Sequence, residues 1–154
     1  EAFWPTVARL CCFRGIDTVT ALSLAAELHD VRRFPTAPSL MAYLGLVPSE
    51  HSSGDQRRRG KITKTGNRHV RRLLIETAWH YRHKPAVGVR LAKRRRGQPP
   101  QVIARADRAQ QRLCTQYRRL VGRNKHHNTI VVAIARMLIG YVWETLREAQ
   151  PSQI

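Results

Sequence analysis

Acidic residues are scarce in this chain. Ten Asp and Glu face 28 Lys and Arg, for a formal net charge of +18 over 154 residues. The acids are also scattered, at Glu1, Asp17, Glu27, Asp30, Glu50, Asp55, Glu76, Asp107, Glu144 and Glu148. Metal-dependent hydrolases and transferases need carboxylates in clusters. With no D-x-D, no H-E-x-x-H and no P-loop, a complete metal active site is not expected within these residues, and no metal is expected to be bound by them. Cysteine is equally sparse. Cys11, Cys12 and Cys114 offer neither a zinc spacing nor an even disulfide set, which fits a reducing, cytoplasmic setting. Cys11 and Cys12 sit in an apolar helical run and read as core thiols. His80 and His83 lie one turn apart, but no further ligand completes a metal set, so they read as helix-surface histidines. Long hydrophobic runs are missing too. The longest, Ile130 to Trp143, carries Arg136 and is too short for a span, so it reads as a buried helix and no membrane is expected. No signal peptide is visible.

What the chain has in abundance is positive charge, concentrated in the middle. Between Arg57 and Lys125 lie 22 of the 28 basic residues, with only Glu76 and Asp107 to offset them. Self-repulsion of that size is tolerated most easily when the usual partner is a polyanion, whose counterions are released on contact. Nucleic acid is the leading partner. An acidic membrane surface is the runner-up, and would call for a basic amphipathic helix with aromatic anchors.

Periodicity is helical throughout, so the expected fold class is all-α. A short apolar helix covers residues 3–13. Gly15-Ile16-Asp17 turns the chain, and Thr18 is expected to cap a helix over 19–28. Helix, G-I-x hairpin, helix is the pattern of a helix-hairpin-helix unit, in which hairpin amides and a helix N-terminus bind a DNA phosphate; an ordinary helical corner fits the same residues. Phe34-Pro35-Thr36 breaks the chain before a short helix over 38–44 that Gly45 ends. Residues 1–47 thus form a helix-hairpin-helix-like segment. Residues 48–154 carry a long basic loop (48–66) and the longer helices, the two segments forming one compact unit. A short β-hairpin around 59–63, turning at Gly60, is expected inside the loop.

Asn67 is expected to cap a helix reaching Tyr81, with Val70, Leu73, Leu74, Thr77, Ala78 and Tyr81 inward. Arg68, Arg71 and Arg72 crowd its first turns, where cations oppose the helix dipole; a phosphate-binding role would account for that. Residues 84–100 read as a basic linker or mobile arm. A helix over 101–121 follows, with Val102, Ala106, Ala109, Leu113, Tyr117, Leu120 and Val121 inward. Arg105, Arg108, Arg112 and Arg119 form a stripe at helical spacing. Asn128 is expected to cap the last helix, 129–148, which is apolar nearly all round and so central to the core.

One segment combines a hydroxyl with this cationic surface. In Pro48 to Arg72, PSEHSSGDQRRRGKITKTGNRHVRR, three serines and a glycine precede the basic run, with Glu50 and Asp55 the only acids. Serine is a weak nucleophile until a base or metal activates it. By spacing alone a loop serine is most often a turn residue.

The order G-L-V-P-S-E-H-S-S-G (45–54), then R-R-R-G-K-I-T-K-T-G-N-R-H-V-R-R (57–72), resembles the C-terminal transposase domain of the insertion-sequence-110 (116/902) family. The segments G-I-D-T-V-T-A-L-S-L-A-A-E-L and R-R-F-P-T-A-P-S-L-M-A-Y-L-G-L are similar to the helices that introduce that domain, and N-K-H-H-N-T-I-V-V-A-I-A-R-M-L to its closing helix. The resemblance implies a serine that attacks DNA and forms a phosphoserine link, completed by a RuvC-like domain with a D-E-D-D Mg2+ site. It also implies a structured bridge RNA, a homo-oligomer and a prokaryotic, nucleoid-associated setting. By position the nucleophile falls on Ser53, with Ser52 as the alternative. Arg57, Arg58, Arg59, Lys61, Lys64, Asn67, Arg68, Arg71 and Arg72 would hold the phosphate backbone or RNA. The family's hairpin reads G-I-G, whereas Asp17 stands here, and an acid weakens phosphate binding. A chain opening at Glu1 in mid-helix, without the metal-bearing half, reads as a piece of a longer protein. The other reading of the same residues is a non-catalytic helix-hairpin-helix module that binds nucleic acid.

Overall fold

The computed structural model describes residues 3–53 and 56–150, with side chains described for all of these except 50–60. Seven α-helices make up the described fold: α1 (Trp4–Leu10), α2 (Thr18–Leu28), α3 (Ala37–Tyr43), α4 (Arg68–Ala78), α5 (Val89–Arg95), α6 (Pro100–Gly122) and α7 (His127–Ala149). One antiparallel hairpin, β1 (Pro48–Ser53) with β2 (Gln56–Ile62), separates α3 from α4. Short 3-10 turns occupy Val31–Arg33 and Trp79–Arg82. The fold class is all-α, as the periodicity indicates.

Each helix begins where local chemistry lets it. Asp17 has extended backbone and accepts Thr20 N–H at 2.8 Å, so it caps α2, and Thr18 is already the first helical residue. This corrects the expected cap by one position: only the residue outside the first turn can reach back to the free amides. Thr36 and Ser39 form a reciprocal capping box on α3. Asn67 caps α4 through Val70 N–H at 3.1 Å. At α7 the cap is His126, whose Nδ1 accepts Asn128 N–H at 3.2 Å; Asn128, expected in that role, lies inside the helix.

The core is one continuous cluster running from Val7 to Leu146. At its centre is α7, which packs against α1, α3, α4 and α6. Ile130, Ile134, Leu138, Val142 and Leu146 bury one stripe of it at helical spacing. At 23 residues α7 is longer than its apolar run and, by length and composition, long enough to cross a membrane. Half of that stretch is buried in the helical body, as in a core helix.

Three sequence expectations change. Residues 84–100 are not an arm: 89–95 form α5, docked through Arg94 Nε to the Cys11 carbonyl (2.9 Å) and Arg95 Nε to the Cys12 carbonyl (3.0 Å). Arg95 also pairs with Asp107 at 2.7 Å. The segment reads as an arm from its sequence because the carbonyls that bind these arginines lie more than 80 residues away in the chain. Leu73 is only half-buried, and Val121, in the last turn of α6, is exposed. The hairpin is longer than expected, and Gly60 lies within β2 rather than at the turn.

Candidate nucleic-acid interface and serine hairpin

The hairpin pairs Pro48 with Ile62, Glu50 with Arg59, His51 with Arg58, Ser52 with Arg57 and Ser53 with Gln56. One extra residue on β2 breaks the register opposite Ser49, which is the place Gly60 occupies; glycine inside a strand marks such bulges. Ser49 Oγ donates to the Lys61 carbonyl at 2.8 Å, so the first of the three serines is a fastening of the hairpin. Ser52 and Ser53 belong to the last two register pairs before the tip. The side chains of Ser52, Ser53, Arg57, Arg58 and Arg59, and Gly54 altogether, lie outside the described residues.

No helix packs broadly against the strands among the described residues, so the hairpin is held at its root. There the backbone closes on itself. Gly45 (φ +70°) and Gly66 (φ +76°) occupy left-handed conformations. A Cβ on Gly66 would stand 1.8 Å from the Tyr43 carbonyl oxygen, and one on Gly45 2.3 Å from Thr65 N. Lys64 N–H donates to Gly45 O, and Thr63 N–H to Val47 O, both at 3.0 Å.

Beneath this clasp sits Arg71. Its Nη1 donates to Leu44 O at 3.1 Å on the incoming limb and to Thr65 O at 3.0 Å on the outgoing one. Buried carbonyls need partners, and this guanidinium supplies two with charge-assisted bonds. Arg71 was expected on the surface among the phosphate-binding residues. It is buried because its helical position faces the root rather than solvent.

The remaining residues of that set divide. Lys61, Lys64 and Arg68 are exposed, and Arg72 is exposed beside Glu76 at 3.9 Å. Asn67 is engaged twice within the fold, as the α4 cap and as donor to Glu27 Oε2 at 2.8 Å. On α6 the expected stripe of four arginines loses one. Arg105 is 4% exposed, donating to Thr145 Oγ1 at 3.2 Å and to Glu148, with Glu144 at 3.4 Å. Arg108, Arg112 and Arg119 line an open groove of about 880 Å³ between α6 and α7, where Arg112 reaches the Tyr141 hydroxyl at 3.4 Å.

A second cavity, of about 530 Å³, gathers basic side chains that the linear pattern did not bring together: Arg14, Arg90, Arg94 and His80. Gly15 (φ +83°) packs against its wall, a Cβ there falling 2.9 Å from His80 Cδ2. The carbonyl of Arg14 accepts the Tyr81 hydroxyl at 2.8 Å. The 11–17 hairpin is thus seated against the 79–82 turn. Burial pulls the His80 imidazole below the usual histidine range, and Arg14, Arg82, His83 and Arg94 add to the effect. Burial likewise pushes the Cys12 thiol up to about 11, consistent with an inert core cysteine. Among the described residues no three His, Cys, Asp or Glu side chains converge on a point that could hold a metal.

Residues 7–90 match the family described as Transposase IS116/IS110/IS902. The transposase-family protein y4qE of Sinorhizobium fredii is 41% identical over 150 residues, covering 96% of this chain and 38% of that protein. A family 20 transposase of Pseudomonas aeruginosa is 43% identical over 72 residues, 47% of this chain and 21% of its own length. An IS110 insertion-element protein of Streptomyces coelicolor is 29% identical over 134 residues, 87% of this chain and 27% of its own length. The chain therefore spans well under half of each of these relatives. With more than half of its residues matched, the chain belongs to the IS116/IS110/IS902 transposase family.

Proposed function

We propose that this chain is the DNA-handling part of a transposase, and that its hairpin presents the serine that attacks the DNA phosphodiester. The observation that carries the reading is positional. Ser52 and Ser53 form the last two register pairs of a hairpin against which no helix packs broadly among the described residues, and β1 runs backbone to backbone beside the basic run 57–59 through Glu50, His51 and Ser52. Ser53 is the nucleophile, with Ser52 as the alternative. Its hydroxyl oxygen bonds to phosphorus as the bond to one bridging sugar oxygen breaks. The serine proton is released, and the departing sugar oxygen gains one. That link holds the strand until a second hydroxyl displaces the serine. Positive charge near the phosphate lowers the cost of the pentavalent transition state.

The residues described contain no carboxylate cluster. In the longer protein, the D-E-D-D site of a RuvC-like domain is proposed to supply Mg2+, which would polarise the phosphate and activate the hydroxyl. Lys61, Lys64, Arg68 and Arg72 bind the phosphate backbone beside the hairpin, and Arg108, Arg112 and Arg119 extend that surface along α6. A structured RNA is the further polyanion this surface would accept, in a homo-oligomer of the full-length protein. By itself the chain is expected to bind nucleic acid without cutting it.

In the full-length protein, Ser53→Ala should abolish strand cleavage and the covalent protein–DNA adduct while leaving DNA retention in a gel-shift assay unchanged. Loss in Ser52→Ala instead would move the nucleophile by one residue. Full cleavage by the Ser52/Ser53 double alanine variant would overturn the catalytic reading and leave a non-catalytic binding module.

A further inference from the structure

We infer that the cavity walled by Arg14, Arg90, Arg94 and His80 is a phosphate-binding pocket, separate from the serine hairpin. Its inference deepens the nucleic-acid reading above and rests on it only for the source of the phosphate. Four chain segments meet there: the turn after α1, the 79–82 turn, the 84–88 connector and α5. Two of the guanidiniums are anchored in place by the fold. Arg14 Nη1 donates to Lys84 O at 2.8 Å and to Gln110 Oε1 at 3.0 Å, and Arg94 Nε to Cys11 O at 2.9 Å. Arg94 is held through a single nitrogen, and its other nitrogens have no hydrogen-bond partner among the described residues, whereas the Arg14 guanidinium also meets the Cys114 thiol. Arg90 has no hydrogen bond or ion pair among them, and stands exposed at the mouth.

Charge in the cluster is unbalanced. Among the residues lining it the one acid is Asp17, whose carboxylate caps α2 at Thr20 N–H and also feels the Arg94 charge, so three guanidiniums face one carboxylate. A planar fork of donors fixed in position, with surplus positive charge, matches a tetrahedral oxyanion. The interaction does not depend on hairpin amides: Ile16 N–H is taken by Phe13 O at 3.2 Å. The groups facing His80 are Arg14 before α2, Arg82 and His83 at its own turn, and Arg94 on α5. All are cationic or able to become so, and together with partial burial they lower the imidazole's affinity for a proton. An anion bound among them reverses that balance, so phosphate binding draws a proton onto His80.

The test follows the His80 ring resonances by NMR through a pH titration of the chain at constant ionic strength. It is run alone, with saturating inorganic phosphate, and with saturating short oligothymidylate. The expected result is a clear upward move of the His80 midpoint, with exposed His29, outside both proposed binding surfaces, unmoved. Arg90→Gln should weaken the probe's affinity about tenfold, as expected for one lost charge-assisted contact, whereas exposed Arg123→Gln should not. A His80 midpoint unmoved by either probe, or equal affinities in the two variants, overturns the pocket. If oligothymidylate still binds in that case, the nucleic-acid reading stands without it. If inorganic phosphate moves His80 and oligothymidylate does not bind, the pocket stands and the nucleic-acid reading falls.

Discussion

Replacing Arg71 with methionine removes the guanidinium while keeping most of the aliphatic stem. In the native fold that group is the shared partner of Leu44 O and Thr65 O, at 3.1 and 3.0 Å. Hydrogen bonds to a charged donor contribute about 1.5–3 kcal/mol each. The two bonds here share one nitrogen, so their sum is nearer the low end, at about 3–4 kcal/mol. Removing a buried cation also removes its desolvation penalty, which offsets part of that loss. A net destabilisation of about 2–3 kcal/mol follows. For a domain of this size each kcal/mol lowers Tm by roughly 2–4 °C, so Arg71→Met should melt about 5–10 °C below the parent by circular dichroism. The loss should also be local. Amide exchange at Thr63 and Lys64, whose N–H groups tie the two limbs together, should speed up more than exchange along α7. Arg71→Lys, which keeps a charge and a donor, should recover part of both effects. An unchanged Tm with native exchange at Thr63 and Lys64 would refute the assignment of Arg71 as the rivet of the hairpin root.

Two further outcomes can be checked with simpler measurements. Gly66 and Gly97 share nearly the same positive φ (+76° and +74°), but only Gly66 has an atom in the way of a Cβ. Gly97→Ala should cost about 1–2 kcal/mol from backbone conformation alone, whereas Gly66→Ala should cost clearly more, because the Tyr43 carbonyl must move; equal urea midpoints would contradict this. The Asp17 carboxyl is held below its ordinary pKa chiefly by the Thr20 amide. A depressed carboxylate pKa means that its contribution is fully present above the unfolded value, near pH 4, and fades as pH falls through the native one. Asp17→Ala should therefore cost about 1 kcal/mol at pH 7, with the gap between variant and parent closing at strongly acid pH; a gap independent of pH would show that the cap is not ionic.

The all-α class, the helix boundaries near Gly15, Gly45 and Asn67, and the central place of α7 were legible in the residues because they rest on local rules. Apolar spacing of three and four, extended-backbone caps and left-handed glycines act within a few residues of one another. The basic centre was legible for the same reason, since charge is a sum over composition. Whether a given arginine faces solvent is a different kind of fact. Arg71, Arg95 and Arg105 sit in runs that look like surface charge, yet each is buried against carbonyls or carboxylates supplied by distant segments: Leu44, Cys12, Asp107, Glu148. The gathering of Arg14, Arg90, Arg94 and His80 around one cavity has no signature in their spacing either. The sequence by itself determined that this protein is helical, strongly cationic and serine-bearing in one glycine-flanked loop. Only the tertiary structure decided which cations are structural and which remain available, because a guanidinium's role depends on what the fold brings within about 3 Å of it.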